Sequence, residues 1–181
     1  MKKIRIGLIG LGTVGTGLVK ALRKNGPLLR ERLGIDLDLS LVAEKNWRAR
    51  RDVRIPPSRR AADARAILAD PAIDIVVELI GGCGAAKAYI LEALKRGKHV
   101  VTANKALLAE HGREIFRRAQ GRRLDLYYEA SVCGAIPIIK ALREGLASNR
   151  VDSIFGIVNG TCNYILSRMT DSGIDFVGAL R

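Results

Sequence analysis

One short segment constrains this chain more than any other. Lys3 to Ile9 (KIRIGLI) is brief, rich in β-branched residues and followed at once by Gly10-Leu11-Gly12-Thr13-Val14-Gly15. An apolar run of that kind reads as a buried parallel strand. The glycines then have separate jobs: Gly10 permits a tight turn, Gly12 leaves the backbone open to a pyrophosphate, and Gly15 lets the following helix pack closely on the strand. Free N–H groups and the positive dipole end of that helix would face the phosphates. The segment therefore points to dinucleotide binding and to a parallel α/β sheet built around it.

The rest of the chain keeps the alternation. Strand-like runs fall at Leu37–Ala43, Ile73–Leu79, Val100–Ala103, Leu124–Ala130 and Val151–Val158. Helical spacing covers Thr13–Leu33, with Pro27 expected to interrupt it, then Ala62–Ala69, Ala85–Arg96, Ala106–Gln120, Ile136–Leu146 and Thr161–Met169. Residues 44 to 60 read as an irregular loop. Strands separated by helices predict a Rossmann-like, doubly wound parallel sheet over residues 1–147, with the beginning of a second, α+β domain over 148–181.

Composition removes several function classes. With 181 residues and 48% hydrophobic content the chain has enough apolar material for a packed core. No apolar run reaches the roughly 20 residues of a membrane span. Three widely spaced cysteines (Cys83, Cys133, Cys162) form no metal-ligand pattern, and reduced thiols in the cytoplasm are the simplest reading. A net charge of +13 raises the question of nucleic acid. Its main cluster (Lys45, Arg48, Arg50, Arg51, Arg54, Arg59, Arg60) carries no aromatic RNA-binding signature, and a second cluster spans Arg113 to Arg123. No nucleic-acid partner is expected.

The end of the second strand bears on the choice of nucleotide. An acid there suits the ribose of NAD, and a base suits the 2′-phosphate of NADP. Glu44 and Lys45 stand side by side, with Arg48, Arg50 and Arg51 close behind. The basic cluster favours NADP while leaving NAD open. Trp47 is a candidate for stacking on adenine and equally for packing. Lys105 follows a short strand on the carboxyl-end edge, where open α/β sheets bind ligands. A cation there would steady the negative charge that builds on an aldehyde oxygen during hydride delivery.

Three further stretches, Val76-Val77-Glu78-Leu79-Ile80-Gly81-Gly82, Gly97 to Lys105 (GKHVVTANK) and Tyr128 to Ile139 (YEASVCGAIPII), precede a fourth, Gly156 to Leu166 (GIVNGTCNYIL). With the glycine turn they closely resemble the homoserine dehydrogenases, in order and spacing, over nearly the whole chain. The resemblance implies NAD(P)H-dependent interconversion of L-aspartate 4-semialdehyde and L-homoserine, in the biosynthesis of threonine and methionine. It implies nucleotide contacts at Gly10, Gly12, Thr13, Val14 and Gly15, and Lys45 as the base for the NADP phosphate. It also implies contacts at Ile80 and Gly81 beside the nicotinamide, and a catalytic or cofactor role for Lys105. A sodium site would map to Glu129 with the carbonyls of Val132, Gly134 and Ile136. Members of the family are expected to form homo-oligomers.

Two departures stand out. Cys133 and Cys162 replace the family's usual small or hydroxyl residues, and the family's later substrate-domain motifs, such as Gly-Tyr-x-Glu, are absent before Arg181. The sequence therefore reads as a truncated member, expected to bind NADP(H) with little turnover of its own and to self-associate or stay disordered from about Val151. A non-catalytic NADP-binding module and an aspartate dehydrogenase-like enzyme are the alternatives.

Overall fold

The computed structural model describes residues 1–157 and 159–180. It divides into two compact units, Met1–Val132 and Cys133–Arg181, upstream of the boundary at residue 147 expected from the sequence. In the first unit the elements run β1 (Lys2–Ile9), α1 (Thr13–Leu33), β2 (Ile35–Ala43), β3 (Arg60–Ala61), α2 (Ala64–Ala69), β4 (Ile75–Glu78), α3 (Gly84–Lys95), β5 (His99–Thr102), α4 (Lys105–Gly121) and β6 (Leu126–Tyr127). All pairings are parallel, and the strand order is β3-β2-β1-β4-β5-β6. That order reverses direction between β1 and β4, which is where such sheets open a crevice for a ligand.

Side chains of neighbouring residues alternate between the two faces, as strand geometry requires. Ile9 and Val76 join Ile67, Ile90, Leu94, Leu107 and Ile115 in one buried cluster under α2, α3 and α4. Leu8 and Val77 join Val19 and Val42 in a second cluster under α1. Ile90, Leu94 and Ile115 are fully buried, each contributing on the order of 1.5–3 kcal/mol. The sheet is therefore covered on both faces, and its carboxyl-end edge is the free rim on which the site is assembled.

The structure departs from the sequence pattern at several places. Helix α1 runs unbroken through Pro27: Gly26 before it has no Cβ to meet the proline ring, and the helix forgoes the one hydrogen bond a proline cannot donate. The loop after β2 ends in β3, a two-residue edge strand paired with Val42 and Ala43. Strand β6 stops at Tyr127, well short of Ala130. Its partner β5 runs one residue further, to Thr102, whose carbonyl instead accepts a hydrogen bond from the Ser131 hydroxyl at 3.0 Å.

The second unit holds α5 (Ile138–Lys140), which runs into a π turn at Ala141–Gly145, then α6 (Gly160–Ser172) and α7 (Phe176–Leu180). The strand expected at 151–158 does not form over residues 151–157, which pair with no strand among the described residues; Val158 lies outside those residues. Without a neighbour to share its ladder a lone segment gains nothing from a strand conformation. Phe155 stands 94% exposed there.

Candidate functional site

At the end of β1 the chain turns sharply. Gly10 has φ of +98°, and a Cβ on it would lie 2.8 Å from the carbonyl oxygen of Leu79. Its amide donates to the carbonyl of Ala43 at 2.9 Å, joining the turn to β2. A Cβ on Gly15 would lie only 2.2 Å from the carbonyl oxygen of Gly10. Gly12 differs: nothing lies within 4 Å of where its Cβ would be. Gly10 and Gly15 are thus demanded by the fold itself, and Gly12 keeps an open approach to the backbone.

Gly12 is the N-cap of α1, with no side-chain cap and no acid in the first turn. The first intrahelical bond is donated by Thr16 to Gly12 at 2.9 Å. The amides of Thr13, Val14 and Gly15 therefore have no acceptor within the helix. They stand at the positive end of a 21-residue helix, an arrangement suited to an anion.

Beside this turn lies a cleft of about 530 Å³, lined by Gly10, Glu44, Lys45, Ile80, Gly81, Asp63 and Tyr89 among others. The volume is within the usual range of small-molecule sites. The residues lie past the carboxyl ends of β1, β2 and β4, so Gly10, Lys45, Ile80 and Gly81 are gathered at one place. Lys45 is exposed and makes no ion pair among the described residues. Asp63 is occupied as the N-cap of α2. Trp47 is not available to adenine: it packs into the cluster under α1, its indole donates to the Ala61 carbonyl, and the Arg60 guanidinium covers its ring at 4.9 Å.

Glu44 lines the same cleft but turns its carboxylate to the protein. It accepts hydrogen bonds from the amides of Leu11 and Asn46, both at 2.9 Å, and pairs with Arg51 at 3.2 Å. Burial pushes its carboxyl up, but these amides and the guanidinium more than offset that and hold it below its ordinary range.

A buried polar chain on the neighbouring strands went unassigned in the sequence. Glu78 is completely buried at the end of β4. It accepts hydrogen bonds from the Ile80 amide at 2.8 Å, the Gly81 amide at 3.3 Å and the Thr102 hydroxyl at 2.7 Å. Thr102 in turn accepts from the Asn104 amide at 3.1 Å, and the Asn104 side chain donates to the Gly82 carbonyl at 2.7 Å while capping α4. The turn at Ile80–Gly82 and the start of α4, where Lys105 is the first residue, are thereby fixed to one another. The only signal in the sequence was an acid closing an otherwise apolar strand. Lys105 itself is exposed.

The four residues of the expected sodium site fall on either side of the division between the units: Glu129 and Val132 in the first, Gly134 and Ile136 in the second. Their donor atoms, a carboxylate and three carbonyls, are hard oxygens of the type that alkali and alkaline-earth cations accept. Cys133 and Ala135, flanking Gly134, both have positive φ (45° and 69°), a conformation uncommon outside glycine and concentrated at ligand clamps. No group of three or more His, Cys, Asp or Glu side chains able to hold a metal exists among the described residues. His99 and His111 contact Asp125 and Glu110 respectively, outside the cleft.

A parallel sheet in this order, with a glycine turn feeding an uncapped helix beside a cleft at the carboxyl ends, defines a dinucleotide-binding domain of the Rossmann type. Family models agree: one described as the NAD-binding domain of homoserine dehydrogenase matches residues 10–129, and one described as homoserine dehydrogenase matches residues 137–181. The chain belongs to the homoserine dehydrogenase family. It is 47% identical over its whole length to a homoserine dehydrogenase of Neisseria gonorrhoeae, and 43% identical over 93% of its length to one of Bacillus subtilis. A crystal structure of a homoserine dehydrogenase from Thiobacillus denitrificans superposes with a TM-score of 0.86 at 44% identity, covering 99% of this chain and 42% of that one. The chain spans 41% and 39% of the lengths of the two sequence relatives.

Proposed function

We propose that the chain supplies the nucleotide-binding part, over residues 1–147, and the opening of the substrate domain, over 148–181, of an enzyme interconverting L-aspartate 4-semialdehyde and L-homoserine with NADP(H). The carrying observation is the glycine turn with its open Gly12 and the unpartnered amides at the start of α1, beside a cleft of about 530 Å³. In this reading the amides of Thr13, Val14 and Gly15 bind the pyrophosphate and Lys45 neutralises the 2′-phosphate. The Ile80–Gly81 turn, held by Glu78, supports the nicotinamide end of the cofactor, which when bound supplies or accepts the hydride.

Lys105 would steady the negative charge developing on the aldehyde oxygen. Self-association to a homo-oligomer is part of the proposal, supported by exposed apolar side chains of the second unit such as Phe155, Ile157 and Leu166. So is a cytoplasmic setting, supported by the three free cysteines; among the described residues no helix is long and apolar enough to cross a membrane. Equilibrium titration with NADPH and NADH, followed by energy transfer from Trp47, tests the reading: saturable binding with NADPH the tighter ligand is expected. Absence of binding by either nucleotide overturns it.

A further inference from the structure

The acid at the end of β2 does not do what its position suggests. In this class of sheet a carboxylate there receives the ribose hydroxyls of NAD. A carboxylate offers about four acceptor positions. In Glu44 one oxygen accepts from the Leu11 amide and meets the guanidinium of Arg51. The other accepts from the Asn46 amide. Three of the four positions are thus taken within the protein.

Arg51 is what completes this arrangement. Its side chain is only 13% exposed, against 15% for that of Glu44, and it does not line the cleft. Besides the carboxylate it holds three carbonyls: Nε donates to Leu11 at 2.6 Å, and Nη1 donates to Asn46 at 2.8 Å and Ala49 at 3.0 Å. The guanidinium thus ties the glycine turn to the loop after β2 and offsets the negative charge of Glu44 at the cleft. Of the two adjacent charged residues at the cleft, only Lys45 is left uncompensated.

We propose that Arg51 is a specificity-determining positioning residue: by holding Glu44 on the glycine turn it withdraws the acid that would read the ribose of NAD, and so leaves Lys45 to select a nucleotide bearing a 2′-phosphate. The proposal rests on the nucleotide-binding reading above. A merely structural arginine would weaken both nucleotides together; one acting through Glu44 changes their ratio.

The test is a set of NADPH and NADH titrations on the full chain, on Arg51→Gln, on Glu44→Gln and on the double variant, with unliganded melting temperatures as the check on folding. In Arg51→Gln the uncovered carboxylate repels the 2′-phosphate, so NADPH preference is expected to fall by about tenfold. Glu44→Gln is expected to keep or raise the preference, and the double variant to return it to within about threefold of the parent. Parallel losses for both nucleotides in Arg51→Gln overturn the proposal. So does a selective loss of NADH affinity in Glu44→Gln, which would show the carboxylate reading the ribose, and this arm decides the question if Arg51→Gln fails to fold. A parent chain that binds neither nucleotide fails at the earlier step, and the underlying reading falls with this one.

Discussion

Replacing Gly12 and Gly15 by alanine, one at a time, separates what the fold needs from what a ligand needs. At Gly12 the backbone sits at φ −76° and ψ −157°, where alanine is unstrained, and the added methyl meets nothing within 4 Å. Alanine stiffens the unfolded chain, a gain of about 0.4–1 kcal/mol, and gives up glycine's advantage at an N-cap, a loss on the order of 0.5–1 kcal/mol. The two offset, so Gly12→Ala should melt within about 2 °C of the parent. At Gly15 the methyl would sit 2.2 Å from a backbone oxygen. Helix and strand must part, at about 3 kcal/mol, which lowers the melting temperature by roughly 6–12 °C. NADPH titration should reverse the emphasis: Gly12→Ala is expected to lose at least about tenfold in affinity, near 1.4 kcal/mol, because its methyl occupies the pyrophosphate's approach. A Gly12→Ala chain that binds NADPH like the parent refutes the argument, as does one destabilised as much as Gly15→Ala.

Three other perturbations follow from the contacts described. Glu78→Ala leaves the Ile80 and Gly81 amides and the Thr102 hydroxyl without their acceptor, and should cost about 3 kcal/mol in a denaturant titration; a loss under about 1 kcal/mol would remove Glu78 as the anchor of that turn. The Glu44 carboxyl is held below its ordinary value of 4.5, so its contribution to stability is complete above that pH and is lost as pH falls through the lower folded value. Acid unfolding of Glu44→Gln should accordingly be shallower than the parent's below pH 4.5, and parallel curves would contradict the assignment. Phe155→Ser, at a 94% exposed side chain, should leave the melting temperature unchanged while reducing self-association in light scattering; unaltered association would exclude this residue from the contact.

Most of the first unit was legible because its signals are local. Apolar runs of strand length, helical spacing and the Gly10–Gly15 spacing each belong to one contiguous stretch, and the sheet places them as their periods require. Features that depend on distant partners were not legible. The commitment of Glu44 relies on Arg51, whose contact with Leu11 spans 40 positions, so adjacent charges at 44 and 45 read as ambivalent. Glu78 looked like the polar end of a strand until Thr102, 24 positions away, was seen to donate to it. Strand β3 is two residues long and exists because β2 offers it a free edge. The segment at 151–157 carries strand-like residues but no partner among the described residues, and periodicity cannot register a missing neighbour.

In the proposed binding mode, amides at the start of α1 cradle a diphosphate. Amide chemical shifts of the isotopically labelled chain, recorded while NADPH is added, test it residue by residue. Saturable shifts concentrated at Leu11 to Gly15, with smaller ones at Lys45, Ile80 and Gly81, are the expected result. Shifts that leave the glycine turn untouched and gather instead on the arginines of α4 would contradict it.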